Sequence, residues 1–218
     1  GINAFKSCKK IVGKISLPNI SGTLNEAAFH SCVGITEIEI VNEKLTAIGN
    51  TAFYGCTSCT NITLNCPNLT SIGSLAFSSH YSSSSTNLKK LNYNCPKVTT
   101  FSNQAFFGNA GLSMDIADII HPGVTSIGNQ AFQSCAKMYG KVYLPNVTSI
   151  GSSAFHSAQS IQEIETGDKL VSLGAHAIQY CYALTNVILR GSSLAKIGDC
   201  TFYNSNKKKF YIEEPNLV

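Results

Sequence analysis

Apolar and polar residues alternate in six short segments of this chain: TEIEIV, TNITLN, KKLNYN, GKVYLP, QEIET and TNVILR. A period of two, rich in β-branched residues, is the pattern of a strand with one buried face. Between the segments an Ala-Phe pair recurs, with its phenylalanine at Phe5, Phe29, Phe53, Phe77, Phe106, Phe132 and Phe155. Ile178 and Phe202 continue the series, and the steps between these anchors are 24, 24, 24, 29, 26, 23, 23 and 24 residues.

The spacing around each anchor is rigid. Five residues before it stand Leu24, Ile48, Ile72, Phe101, Ile127, Ile150, Leu173 and Ile197. The next position is glycine in six of those eight repeats, at Gly49, Gly73, Gly128, Gly151, Gly174 and Gly198. Glycine at a fixed place predicts a positive φ or a close backbone approach. Each repeat therefore reads as a strand, a second extended piece such as VTSIG, and a tight helical turn at AFxxC. One unit buries little alone, and stacking lines the anchors into a continuous core. The expected product is a right-handed α/β solenoid with a parallel sheet on one face and short helical turns on the other. It reads as a single domain over residues 1–218, of about nine repeats 23–29 residues long.

The segments LTSIGSLAF, VTSIGNQAF, VTSIGSSAF and LTAIGNTAFYGC resemble the BspA-like class of leucine-rich repeat over almost the whole chain. The resemblance implies the fold just described, and a cell-surface or secreted protein of a mucosal bacterium or protist parasite. Adhesion to a host protein is the role it implies. The chain departs from the common leucine-rich repeat, whose strand is followed by an asparagine ladder; the comparable turn here often carries proline, at Pro18, Pro67, Pro96, Pro145 and Pro215. Both ends fall inside a repeat without a polar cap, so truncation from a longer array is expected.

Composition narrows the function. Charged residues are only 13% with a net charge of +4, and Lys207-Lys208-Lys209 is the single basic run. A nucleic-acid binder concentrates Lys and Arg on one face, so none is expected as partner. No apolar stretch approaches a membrane span, and no direct membrane insertion is expected of this segment. Neither a serine nucleophile elbow, a phosphate loop nor a dinucleotide fingerprint appears, so neither catalysis nor a cofactor is expected. The sequons at Asn19, Asn61, Asn68 and Asn146 are explained as well by repeat composition as by glycosylation. The serine-rich tract at residues 78–86 reads as a surface loop, with partner contact as the alternative.

Nine cysteines include the pair Cys56 and Cys59 in GCTSC. Register assigns Cys56 to a column three residues after the anchor, with Cys8, Cys32, Cys135 and Cys181, filled elsewhere by His80, Asn109, Ala158 and Ser205. Cys59 falls in an apolar column six after the anchor. These cysteines are expected to be buried and reduced packing residues, without a metal. Cys66, Cys95 and His121 share a turn column, where a Cys66–Cys95 disulfide, a metal site lacking a fourth ligand, and plain partial burial stay open. His30 and His156 lie five repeats apart, about 24 Å at sheet spacing, and are expected on the surface.

Residues flanking the central apolar position of each strand point outward. Before it stand Lys14, Glu37, Asn61, Lys90, Asp115, Lys141, Glu163, Asn186 and Lys209, with opposite charges placed to pair across strands. After it stand Ser16, Glu39, Thr63, Asn92, Ala117, Tyr143, Glu165, Ile188 and Tyr211. The second half of this column is bulky, with Arg190 beside it, and aromatic residues and Arg dominate interface energetics. The candidate partner-binding set is Tyr143, Glu165, Ile188, Arg190 and Tyr211. A monomer that binds a protein, such as a host matrix or surface protein, is the first reading. A structural spacer and a glycan-binding module are the alternatives.

Overall fold

The computed structural model describes residues 1–79, 88–190, 192–206 and 209–213, apart from the side chain of Glu213. Most of the tract at 78–86 lies outside these residues, as do His80, Lys207, Lys208 and Pro215. The chain is a parallel β-solenoid of stacked repeats. Four strands, β1 (Gly13–Ser16), β3 (Ile35–Val41), β5 (Asn61–Asn65) and β7 (Lys90–Asn94), form one sheet. Four more, β10 (Gly140–Leu144), β12 (Ile161–Thr166), β14 (Asn186–Arg190) and β16 (Lys209–Glu213), form a second. The second extended piece of each repeat builds a third, eight-stranded sheet behind them: β2 (Gly22–Leu24), β4 (Leu45–Ile48), β6 (Ser71–Ile72), β8 (Thr100–Phe101), β9 (Ser126–Ile127), β11 (Ser149–Ile150), β13 (Ser172–Leu173) and β15 (Lys196–Ile197).

The core runs between these layers. Phe29, Phe53, Phe77, Phe106, Phe132 and Phe155 are buried and stack with ring centroids 5.3–5.8 Å apart. Phe5 stacks on Phe29 but is 46% exposed, because no described repeat lies beyond it.

The expected helical turn is not there. In the second repeat the amides of Ala28, His30 and Cys32 close short turns onto the carbonyls of Asn25, Ala27 and Phe29. The alternate amides, those of Ala27, Phe29 and Ser31, donate instead to Asn50, Ala52 and Tyr54 of the next repeat at 2.7–2.9 Å. An α-helix uses every amide within itself. Here every second one ties neighbouring repeats together, so the AFxxC segment is a hydrogen-bonded corner. The alternation requires left-handed backbone two residues before the anchor and, in most repeats, two after it, as at Ala27 (φ 52°) and Ser31 (φ 57°).

Among the described residues one short 3₁₀ turn, Ile116–Asp118, is the sole helical element, and it occupies a strand position. Asp115 bridges Tyr139, and its carboxylate then accepts from the Ala117 amide at 2.9 Å, lifting the chain off the sheet. The expected continuous sheet is therefore split in two. Asp115 and Ala117 consequently leave the two outward columns, where they were expected.

The recurrent glycine answers to close approach. Gly49, Gly73, Gly128, Gly151, Gly174 and Gly198 have ordinary φ, but a Cβ on any of them would meet backbone of the preceding repeat at 2.2–2.7 Å.

Candidate partner-binding face

Strand pairing aligns the outward columns as read from the sequence. Lys14, Glu37, Asn61 and Lys90 are register partners on the first sheet, and Lys141, Glu163, Asn186 and Lys209 on the second. The other column is Ser16, Glu39, Thr63 and Asn92 on one sheet, and Tyr143, Glu165, Ile188 and Tyr211 on the other. Tyr143, Glu165, Ile188 and Tyr211 thus stand side by side on four neighbouring strands, with Arg190 two residues beyond Ile188 on β14. Tyr143 is 43% exposed and Tyr211 55%, while Ile188 is half-buried between them.

The two sheets are copies of one design. AFKSCKKIVGKISLPN matches AFQSCAKMYGKVYLPN, AFHSCVGITEIEI matches AFHSAQSIQEIET, and TNITLN matches TNVILR. Each copy opens on a bulged glycine with positive φ, Gly13 or Gly140, followed by a lysine that bridges two glutamates on the next strand. In the first copy Lys14 lies 3.2 Å from Glu37 and 3.0 Å from Glu39. In the second, Lys141 lies 2.9 Å from Glu163 and also pairs with Glu165.

The copies differ in how the central carboxylate is satisfied. Glu39 takes Lys14 on one oxygen and the Ser16 hydroxyl, at 3.1 Å, on the other. Tyr143 replaces Ser16 in the second copy and removes that hydroxyl. Arg190, standing where the first copy has Asn65, supplies the second donor, so Glu165 is held between Lys141 and Arg190. Lys141, with Arg190 adding to it, holds the Glu165 carboxyl below the usual carboxylate range against an opposing effect of burial. The lysine ammonium sits 5.4 Å from the centroid of the Tyr143 ring. Glu165 is only 13% exposed, so it organises its neighbours more than it presents itself. The duplication itself is legible in the sequence, but the column reading compares successive repeats and passes over matches five repeats apart.

The thiol column is structural. Cys32, Cys56, Cys135 and Cys181 donate to the carbonyl of the preceding anchor at 2.9–3.3 Å, and Asn109 and Ser205 do the same from the same place. The set Cys, Asn and Ser has donation in common, a signal missed when these cysteines are read as small hydrophobes. All nine cysteines are free; Cys8 and Cys56 are only partly buried and Cys200 is exposed. Burial pushes the Cys59 thiol up to about 11 and those of Cys135 and Cys181 to about 12.

Histidines take structural contacts. His30 and His156 are half-buried at the surface, and each ring Nδ1 meets the hydroxyl of the next serine, at 2.9 and 3.0 Å. His121 engages the Val98 carbonyl and the Gly123 amide through its two ring nitrogens. It is therefore not placed as a third ligand beside Cys66 and Cys95. Among the described residues no three His, Cys, Asp or Glu side chains converge as metal ligands. A small cavity of about 30 Å³ under the fourth repeat is lined by Cys56, Thr57, Cys59, Ser78, Ser79 and Asn109 among apolar side chains, with no carboxylate or imidazole among the described lining residues. No helix among the described residues is long and apolar enough to cross a membrane.

No curated protein sequence matches the chain significantly. Among solved structures, the Treponema pallidum leucine rich repeat protein TpLRR superposes with a TM-score of 0.63 at 23% identity, over 78% of this chain and 77% of that one. A leucine rich cell surface protein of Faecalibacterium prausnitzii gives 0.37 at 18% identity, over 88% of this chain and 73% of that one. The pneumococcal vaccine antigen PcpA gives 0.38 at 16% identity, over 94% and 69%. The first likeness is one of fold, and the other two are too loose to carry more. A profile of the BspA type leucine rich repeat region matches six copies over residues 1–113 and 113–217. With its corner-anchored repeats covered almost end to end, the chain belongs to the BspA-type leucine-rich repeat family.

Proposed function

We propose that this domain is a binding module, secreted or displayed at a cell surface, that holds a protein partner on the outer face of its second sheet. Tyr143, Ile188 and Tyr211 contact the partner, while Lys141 and Arg190 hold Glu165 and frame the aromatic side chains. The observation that carries this reading is the difference between the two copies. The first sheet has the same scaffold and ion pairs with Ser16, Thr63 and Asn92 in the same column, so neither strand formation nor register requires two exposed tyrosines and an isoleucine. Large exposed side chains that the scaffold does not need are the kind that contribute to recognition. Adhesion is the role the family resemblance suggests for such a face. No catalysis and no cofactor are part of this reading.

A screen of the domain against host matrix proteins, surface proteins and glycans tests it. With a protein partner in hand, a Tyr143→Ala, Tyr211→Ala double variant is expected to bind at least about tenfold more weakly, about 1.4 kcal/mol. Ser16→Ala, Asn92→Ala on the first sheet is expected to bind normally. Equal loss in both variants, or none in either, would move the site elsewhere. Hits among glycans alone would favour a carbohydrate-binding module.

A further inference from the structure

The corner edge of the second half carries an aromatic cluster outside the strand columns. Tyr180 lies at its centre, with its ring centroid 5.3 Å from that of His156, 6.1 Å from Tyr182 and 6.0 Å from Tyr203. None of the three contacts is a face-to-face stack. Tyr182 and Tyr203 are 50% and 54% exposed, while Tyr180 and His156 are half-buried. Three consecutive repeats contribute, tied together where the Ser157 amide donates to the Gln179 carbonyl and the Tyr180 amide to the Tyr203 carbonyl.

The scaffold does not need these side chains, and it opposes one of them. Tyr180 stands second after its anchor, where every other repeat has serine, glycine or asparagine. Its backbone there is left-handed, with φ 58°. Glycine and asparagine tolerate that region, but a bulky side chain in it is an outlier. Strain of this kind clusters where function needs the side chain. In the matching repeats of the first half, Gly55, Thr57 and Ser78 stand where the second half has Tyr180, Tyr182 and Tyr203. Tyr54, one position before Gly55, reaches His30 at 5.2 Å without a positive φ, so an aromatic contact to this histidine does not require the strain.

Chemistry and size select the occupant. The corner segments 155–161, 178–184 and 202–206 contain no Asp, Glu, Lys or Arg. Lys207 and Lys208, next in the chain, lie outside the described residues. Burial, with His176 adding to it, holds the His156 imidazole below its ordinary value, so it too is uncharged at neutral pH. The exposed polar side chains of these segments, besides the tyrosines, are the amides of Gln159, Asn204 and Asn206. An amide offers donors and an acceptor side by side, which suits a pair of sugar hydroxyls. The face of a tyrosine ring is weakly negative and attracts the C–H bonds on one face of a pyranose. Ring centres about 6 Å apart match one or two sugar rings, whereas a stable protein interface needs about 800 Å² on each side. We infer that Tyr180, Tyr182 and Tyr203 form a binding site for a neutral oligosaccharide, with His156 bracing Tyr180 and the amides taking the sugar hydroxyls. This site is separate from the strand column that holds a protein partner, and it does not depend on that reading.

The probes are an array of neutral oligosaccharides ending in galactose, N-acetylglucosamine or mannose, spotted beside sialylated and sulfated ones. Neutral hits are expected, and the strongest is then titrated by calorimetry. Tyr180→Ser, which installs the residue most repeats carry there, should fold at least as stably and bind at least about tenfold more weakly. Tyr182→Ala, Tyr203→Ala should lose affinity to the same extent, while Tyr143→Ala, Tyr211→Ala should bind the sugar normally. The site is overturned by no neutral hit, by binding confined to the acidic sugars, or by unchanged affinity in Tyr180→Ser. Loss in Tyr143→Ala, Tyr211→Ala with the corner variants unaffected would put the sugar on the sheet face and also overturn it. A protein partner released by Tyr180→Ser, with no neutral sugar bound, would make the corner a protein contact instead. If Tyr180→Ser does not fold, the Tyr182, Tyr203 variant decides, and unchanged affinity there overturns the site.

Discussion

The carbonyls of the buried anchors Phe29 and Phe155 each accept two hydrogen bonds, one from the amide three residues on and one from a side chain of the next repeat. Phe155 shows both, from the Ala158 amide at 3.0 Å and from the Cys181 thiol at 3.3 Å. A thiol is small enough for the core and still a weak donor, which is why cysteine fills the column. The same burial suppresses its ionisation, so these thiols are poor nucleophiles. It also makes stability depend on alkaline pH. Cys135 and Cys181 titrate near 9 when unfolded and near 12 when folded. Below about 9 both states hold the protons and the full stability is present. Between about 9 and 12 the unfolded chain releases protons that the folded chain keeps, so stability falls as pH rises. Denaturant midpoints measured from pH 8 to 11 should decline. Cys135→Ala, Cys181→Ala should flatten that decline, and an unchanged slope would mean that other groups cause it.

The repeated corner is an element that two-residue periodicity and propensity do not describe. Its left-handed positions fall on Thr51, Leu75 and Gln104 as readily as on serine or asparagine. For non-glycine residues such conformations cost about 1–3 kcal/mol each, and they persist because amides from neighbouring repeats agree on them. Thr51, β-branched at φ 51°, is the most strained by type. Asparagine tolerates this region better. Thr51→Asn is therefore expected to raise stability by about 0.5–1 kcal/mol in chemical denaturation. A loss of that size would show that the threonine side chain contributes something its backbone conformation conceals.

Across the whole molecule the two halves act as internal controls for each other. Exchange of serine for tyrosine at the first strand is matched by exchange of asparagine for arginine at the third, so each central glutamate keeps two donors. The coupling can be measured without any ligand. Arg190→Asn alone leaves Glu165 one cation short and should cost up to about 1 kcal/mol, modest because the guanidinium is partly exposed. Combined with Tyr143→Ser, which restores the hydroxyl donor of the first half, the loss should shrink by about 0.5 kcal/mol or more. Strict additivity in this double-mutant cycle would separate the two exchanges.

Register, core and outward columns were readable from the chain alone, because each follows from a local period. The anchor spacing places Phe132 over Phe106, and alternation along β12 puts Ile164 inside and Glu165 outside. Glycine at Gly151 announced close packing, though not which atoms it would meet. The corner reads as helical in the sequence because its conformation depends on amides that bond to the next repeat, a contact absent from any single repeat. The break at Asp115 depends on a side chain competing with the sheet for a backbone amide. The clamp on Glu165 joins residues from three strands at Lys141, Glu165 and Arg190, and the sequence shows their columns but not which pairs close. Periodic burial is written residue by residue, whereas hydrogen bonds and ion pairs between repeats exist only once the repeats are stacked.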